Sequence, residues 1–454
     1  MADSGRVQRG LAVTGLPDGA VVDEEVLEEY SRDRSGAPAG RARAIVFAES
    51  AAHVSSVVQW ASAERVPVVP RGAGTGLAGG AVAAEGSVIV DLSRLNRISS
   101  IDPVDQIAVV EPGVVTADLD AAARRHGLFF APDPASADSS SVGGNIATNA
   151  GGLRCVKYGV TGDSVLGLTV ALADGRLLQT GRSTRKGVTG YDLTSLFVGS
   201  EGTLGVIVGA TVRLTPVPWG VVTISATFAD VEAAATACAA VSAQRLTPSM
   251  LELLDERTLR TLDASQGTAL SEEGGALVIA QVDGTGSGAD ATALTDLLGE
   301  TARHVERADD QSDAEALMAA RRQALPSIQR TGHTLIEDIC VPRSRLAEGI
   351  RGVELISTMT GVTIHTFAHA GDGNLHPIIS WQGEPDPPEY VHEAAGRVFQ
   401  LALDLGGTLT GEHGIGVLKR AWVGAELGET GLSVHRAIKA SLDPLGILNP
   451  GKAF

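Results

Sequence analysis

Between Val66 and Ala81 the chain reads VPVVPRGAGTGLAGGA, which places five glycines in nine residues, at 72, 74, 76, 79 and 80. Gly74, Gly76 and Gly79 spell G-x-G-x-x-G, the pattern of a dinucleotide-binding turn. That turn requires a helix directly after the glycines, because the pyrophosphate sits on the helix N-terminus, and an acidic residue about 20 positions on. Here only AVAAEG separates the glycines from the strand-like SVIVDL. No helix of useful length fits, and Pro67 and Pro70 stiffen the approach, so the Rossmann arrangement is excluded. A bare turn needs fewer glycines than this. The loop exposes successive backbone N–H groups beside Arg71, a nest suited to a pyrophosphate.

The rest of the chain bounds the reading. Its 454 residues allow two or three domains. A net charge of −18 argues against nucleic acid as a partner. No apolar run reaches the roughly 20 residues of a membrane helix. The N-terminal MADSGRVQRGLAVTGLPDG has no signal-peptide core, so a cytoplasmic protein is expected. Cys155, Cys238 and Cys340 lie far apart without a C-x-x-C, which indicates neither an iron–sulfur cluster nor a cysteine zinc site. Residues 23–33 read as a short helix and 42–48 as a strand. Residues 50–66 read as a helix capped by Ser50 and 116–127 as another helix, with a hairpin over 166–181 turning at ADG. From VVTISATF onward strands and helices alternate as an α+β unit under a mostly antiparallel sheet.

Seven motifs, PRGAGTGLAGGA, PDPASADSSSVGGNIATNAGG, KYG, GSEGTLGVI, HAGDGNLHP, GEHGIG and DPLGILNPGK, occur in the order found in the FAD-linked D-2-hydroxy-acid dehydrogenases. This family includes the glycolate oxidase D-subunit, flavin D-lactate dehydrogenases and D-2-hydroxyglutarate dehydrogenase. The chain resembles it over nearly its whole length. The resemblance implies an α+β fold: a two-part FAD-binding domain of the p-cresol methylhydroxylase/vanillyl-alcohol-oxidase type (1–217), an α+β cap for the substrate (218–408) and a C-terminal segment that returns to the FAD domain (409–454). It further implies that Arg71, Gly72, Ala73, Gly74, Thr75, Gly76 and Leu77 wrap the FAD pyrophosphate. Ser141, Gly143, Gly144, Asn145, Asn149, Gly151 and Gly152 would line the opposite side, with Ser141 also able to cap a helix. Glu201, Gly205 and Ile207 would hold adenine and ribose, and Pro132, Tyr158, Gly159 and Asn449 are carried over as further cofactor contacts. Only glycine lets a backbone come so close to a flat ring and a phosphate chain. Cys155 reads as a buried structural thiol.

His369 and His376 stand seven apart, unlike the i, i+4 pair of a helical zinc site, but on a strand and its following loop they could converge. By resemblance Glu412 completes a site for a divalent metal, zinc, manganese or iron, and His413 is the base. A metal on the hydroxyl and carboxylate of a 2-hydroxy acid acidifies the hydroxyl; a histidine takes its proton, and the C2 hydride passes to flavin N5. Arg321, rather than its neighbour Arg322, aligns with the family's carboxylate-binding arginine. The motifs near 71–81 and 141–152 are expected to stand apart from the metal motif near 369–376.

Two positions depart from the hydroxyglutarate enzymes: Ile336 replaces a lysine and Ile378 an asparagine. These favour a small or apolar acid such as D-lactate or glycolate. Electrons then need an external acceptor: a quinone, a cytochrome, an electron-transfer flavoprotein or an iron–sulfur subunit. A homodimer and a peripheral place at the inner membrane face are compatible with the sequence. The alternatives are a flavin-carrying subunit of a glycolate-oxidising complex, inactive alone, and a non-redox alkyl-ether-lipid synthase of the same superfamily. Some superfamily members attach flavin through a histidine in the first glycine loop; this loop has none, so noncovalent FAD is expected. Acid precipitation should release all the flavin into the supernatant, and flavin retained by the denatured chain would overturn this reading.

Overall fold

The computed structural model describes residues 15–184, 186–244, 246–308 and 310–453. The first 14 residues, including most of the N-terminal stretch read above, lie outside them. Strands Ala44–Phe47, Val88–Asp91 and Val68–Arg71 pair in parallel, with the short Ala20–Val21 antiparallel at one edge. Helix Ala51–Glu64 crosses from the first strand to the third; Ser50 caps it by accepting from the His53 N–H at 3.1 Å. Asp23 caps Glu24–Tyr30 in the same way. Residues 72–87 cross from Val68–Arg71 to Val88–Asp91 with no helix among them, which agrees with the exclusion of a Rossmann turn.

A second sheet is wholly antiparallel, in the order Ile98–Asp102, Ile107–Val110, Val206–Arg213, Val165–Ala171, Leu177–Gly181. Its last two strands form the hairpin that turns at ADG. The glycine-rich 141–152 run is a short helix, Val142–Thr148, whose cap Ser141 accepts from the Gly144 N–H at 3.3 Å.

The second half of the chain, the expected cap, is built on a larger sheet in the order His304–Ala308, Val221–Phe228, Ala276–Asp283, Met250–Asp255, Thr363–His369, Asn374–Trp381, His333–Ile336, with Ile339–Cys340 also on Asn374–Trp381. All its pairings are antiparallel. Side chains alternate across such a sheet. Leu251, Leu253, Ala368 and Leu375 point to one core under helices Val231–Ala243, Leu346–Thr360 and Glu389–Asp404. Met250, Leu254, Phe367 and Ile378 point to the other, under Glu256–Gln266 and Gln311–Gln329. The polar residues of the site lie on this second face.

After Asp404 the chain runs back across both halves. The Ile415 and Gly416 N–H groups donate to the Glu201 carboxylate at 2.7 and 2.8 Å, and Val417 N–H donates to Ala78 O at 2.9 Å. The chain's end then lies along Val68–Arg71: Val68 N–H donates to Ile447 O, and Asn449 N–H to Val68 O, both at 2.8 Å. Elsewhere Asp283 of the cap accepts from Lys157 and, at 2.8 Å, from the Tyr158 hydroxyl.

Gly416 carries φ +51°, and a Cβ there would lie 1.9 Å from Ala78 O. A Gly416→Ala change adds left-handed strain to a backbone clash. It should cost roughly 2–4 kcal/mol, read as a lowered thermal midpoint of the flavin-loaded protein. An unchanged midpoint would contradict this packing.

Candidate active site

Register in the cap sheet assembles the polar cluster. Glu252 lies opposite His369, His369 opposite Asn374, and Phe367 opposite His376. The two histidines are thus diagonal neighbours on one face of a hairpin, which is how a spacing of seven brings them together. Their ring centroids are 4.9 Å apart. Nε2 of His369 and Nε2 of His376 stand 3.5 and 3.2 Å from the same Glu412 oxygen, Oε1. Two ligand atoms about 2.1 Å from a tetrahedral ion are about 3.4 Å apart, so the donor set and its spacing fit a first-row divalent cation. Burial opposes charge on His369, but Glu252 overrides it and lifts the imidazole pKa well above its ordinary value; Glu412, also buried, is pulled well below the usual carboxylate range by the two histidines. A bound cation would take the place of those protons.

The loop carrying Glu412 is held by Asp338. Its Oδ2 accepts from Thr410 Oγ1 at 2.6 Å, the Glu412 N–H at 3.0 Å and the His413 N–H at 2.9 Å. Lys419 is buried alongside and donates to the carbonyls of Asp338 (2.8 Å) and Leu409 (3.0 Å). Burial would raise Asp338, yet the cationic groups around it, the Lys419 ammonium among them, hold it far below the ordinary range. His413 stacks on His376 with centroids 5.2 Å apart, and its Nε2 is 3.8 Å from Glu412 Oε1. Burial pushes His413 down to about 4, so the imidazole is neutral near neutral pH. Asp338 Oδ1, His376 Nδ1 and His413 Nδ1 are buried without hydrogen-bond partners. Asp338, His376 and His413 also offer three close ligand atoms, a second possible cation group that shares His376 with the first.

A cavity of about 590 Å³ opens beside this cluster. Its walls include Arg71, Gly72, Ala73, Gly74, Thr75, Gly76 and Leu77 from the first loop and Ser141, Gly143, Gly144 and Asn145 from the second. Glu201, Gly205, Ile207, Glu412 and His413 complete the expected residues on it. The glycines fit close approach: a Cβ on Gly72 would lie 2.5 Å from Ser141 Oγ, and one on Gly143 2.4 Å from Pro112 Cβ. Gly151 abuts Glu412, where a Cβ would be 2.5 Å from Oε2.

Other expected residues lie off the cavity wall. Pro132 is buried, and Gly152 packs on the Asp133 carbonyl. Asn149 ends its helix in the left-handed region and accepts from the Gly162 N–H at 2.7 Å. Gly159 packs on the Asp163 carboxylate, and Tyr158 turns to Asp283. Asn449 braces the cavity from behind, donating to Gly80 O at 2.9 Å and Glu201 O at 2.7 Å. The glycine loop is also stiffened from within, since the Arg71 guanidinium donates to Arg32 O at 2.6 Å and lies over the Tyr30 ring. Arg321 faces inward, over the Phe367 ring and with Nε on Glu252, while Arg322 is exposed. Leu325, one helical turn beyond Arg321, reaches the cavity with Ile336, which pairs with Ile378. Cys155 is half-buried with its thiol pKa raised by burial, consistent with an inert side chain.

Residues 218–453 match the C-terminal domain of FAD linked oxidases, and 42–181 match an FAD binding domain. The chain belongs to the FAD-linked oxidases. It is 39% identical to the glycolate oxidase subunit GlcD of Bacillus subtilis, over 94% of this chain and 92% of that one. A D-lactate dehydrogenase of Archaeoglobus fulgidus is 35% identical over 90% of both chains. Among solved structures, p-cresol methylhydroxylase superposes with a TM-score of 0.79 at 18% identity, covering 96% of this chain and 93% of that one; an alkyldihydroxyacetonephosphate synthase gives 0.75 at 20%, covering 96% and 84%. These two share the fold. As an FAD-linked oxidase the chain is an oxidoreductase that carries FAD, and no helix among the described residues is long and apolar enough to cross a membrane.

Sequence reading missed Glu252, Asp338 and Lys419 as site residues. Glu252 is a lone charge within the apolar run MLELL, while Asp338 and Lys419 each stand beside a second charge, Glu337 and Arg420, in apolar surroundings. If His376 is a ligand, His376→Ala should lower bound divalent metal, measured by elemental analysis of the flavin-loaded protein, by tenfold or more. Equal metal content in both proteins would remove His376 from the site.

Proposed function

We propose that this chain is an FAD- and metal-dependent dehydrogenase that oxidises a small D-2-hydroxy acid, D-lactate or glycolate, to the 2-oxo acid and passes the electrons to an external acceptor. The observation that carries this reading is the convergence of His369, His376 and Glu412 beside the cavity that the glycine loops line. The names of the relatives support the substrate class. FAD supplies a two-electron acceptor and the divalent metal a Lewis acid. His369, His376 and Glu412 hold the metal. His413, neutral and next to Glu412, takes the hydroxyl proton at Nε2. Arg321 donates its Nε–H to Glu252 and keeps its Nη edge for the substrate carboxylate. Leu325, Gln329, Thr334, Leu335 and Ile336 line that end of the cavity without a charged side chain among them, which suits a monocarboxylate.

A second reading has its own support: relatives of this length are named as a subunit of glycolate oxidase. Anaerobic mixing of the purified chain with D- and L-lactate and glycolate separates the two. The first reading expects D-selective flavin bleaching by the chain alone, lost with a chelator and restored by metal. No bleaching by any acid, with bleaching recovered on adding a partner subunit, would establish the second. His413→Asn should slow bleaching by roughly 10²–10⁴-fold. Arg321→Ala should raise the apparent Kd for D-lactate by about 1.5–3 kcal/mol, roughly 10–150-fold, with Arg322→Ala near wild type. Normal bleaching by His413→Asn would move the base to another residue.

A further inference from the structure

We propose that Glu252 is a positioning residue that joins the metal ligand His369 and the carboxylate-binding Arg321 into one hydrogen-bonded unit. The inference rests on the metal-dependent reading above. Glu252 sits in the middle of strand Met250–Asp255, with no exposed surface, between Leu251 and Leu253. A carboxylate is costly there unless its oxygens are well matched. Each oxygen has one partner: Oε1 meets His369 Nδ1 at 2.6 Å, and Oε2 accepts from Arg321 Nε at 2.6 Å. Both are short, charge-assisted contacts.

The two contacts do different things. Accepting from Nδ1 of His369 fixes the tautomer and ring plane so that Nε2 faces Glu412, the arrangement a metal-binding imidazole needs. Accepting from Nε of Arg321 sets the direction of the opposite guanidinium edge. Phe367 supports the same arrangement: it lies under the Arg321 guanidinium at 4.3 Å from its ring centroid, and 5.6 Å from the His376 ring. One side chain therefore sets the span between the group that binds the metal and the group that binds the carboxylate. In a 2-hydroxy acid the hydroxyl and carboxylate sit on adjacent carbons, so this span governs both metal retention and substrate fit.

The test compares the FAD-loaded wild type with Glu252→Gln, Glu252→Asp and Arg321→Met. Manganese(II) affinity is measured by equilibrium dialysis without substrate, and KM and kcat for D-lactate are measured at saturating manganese. Glu252→Gln should weaken manganese binding about 10–100-fold, the usual effect of removing such an outer partner, and should also raise KM tenfold or more. Arg321→Met should raise KM and leave manganese affinity unchanged. Glu252→Asp keeps the charge but is one methylene short, and should move both readouts in the same direction as Glu252→Gln. It serves in place of Glu252→Gln should that variant fail to retain FAD. If either Glu252 variant with full FAD occupancy changes only one readout, or neither, the joint role is wrong. If the wild type itself binds no manganese, the metal-dependent reading fails and takes this inference with it.

Discussion

Residues 410–417 hang between two buried carboxylates, one from each half of the molecule. Asp338 of the cap accepts from the backbone of Glu412 and His413; Glu201 of the flavin-binding half accepts from Ile415 and Gly416. Each of these carboxylates accepts two backbone N–H groups, which offsets part of the cost of burying it. The side chains on the loop, Glu412 and His413, are the only groups named in the chemistry that also line the cavity. The position of Glu412 and His413 on the cavity wall therefore rests in large part on these four hydrogen bonds. Glycine completes the fit: Gly414 approaches Glu201, Gly416 approaches Ala78 and Gly151 approaches Glu412.

The cluster is electrostatically dense. Glu252, Asp338 and Glu412 face His369, His376, His413, Arg321 and Lys419; five of the eight are buried, and Glu412, His413 and Arg321 are partly so. Isolated charges at such depth would neutralise. Here opposite charges are interleaved, which holds the three acids below their ordinary range, while burial keeps His413 neutral. Under the proposed function, a neutral His413 beside Glu412 would be free to accept a proton from a hydroxyl made acidic by a Lewis acid.

Much of this was legible because it is local. Ser50 and Ser141 announce helix starts by residue type, and the AVAAEG segment is too short for a helix whatever surrounds it. The glycine runs mark close approach, and they do lie on one cavity. What could not be read is direction and register. Glu252 belongs to MLELLDERTLRTL, whose apolar spacing suits a helix as well as a strand; its partner His369 lies 117 residues on and is set opposite by sheet pairing. Tyr158 and Asn449 stand in motifs close to the cavity, yet one side chain turns to Asp283 and the other to backbone carbonyls, because each satisfies a nearer buried group. Motif matching conveys proximity; it carries no information about where a side chain points.

The central claim is that one cation, held by His369, His376 and Glu412, adjoins the flavin cavity. A crystal of the FAD-bound protein soaked in manganese and measured at the manganese absorption edge tests it directly. A single anomalous peak should lie about 2.0–2.3 Å from Nε2 of both histidines and from Glu412 Oε1. A peak among Asp338, His376 and His413 instead, or none in the cluster, would contradict it.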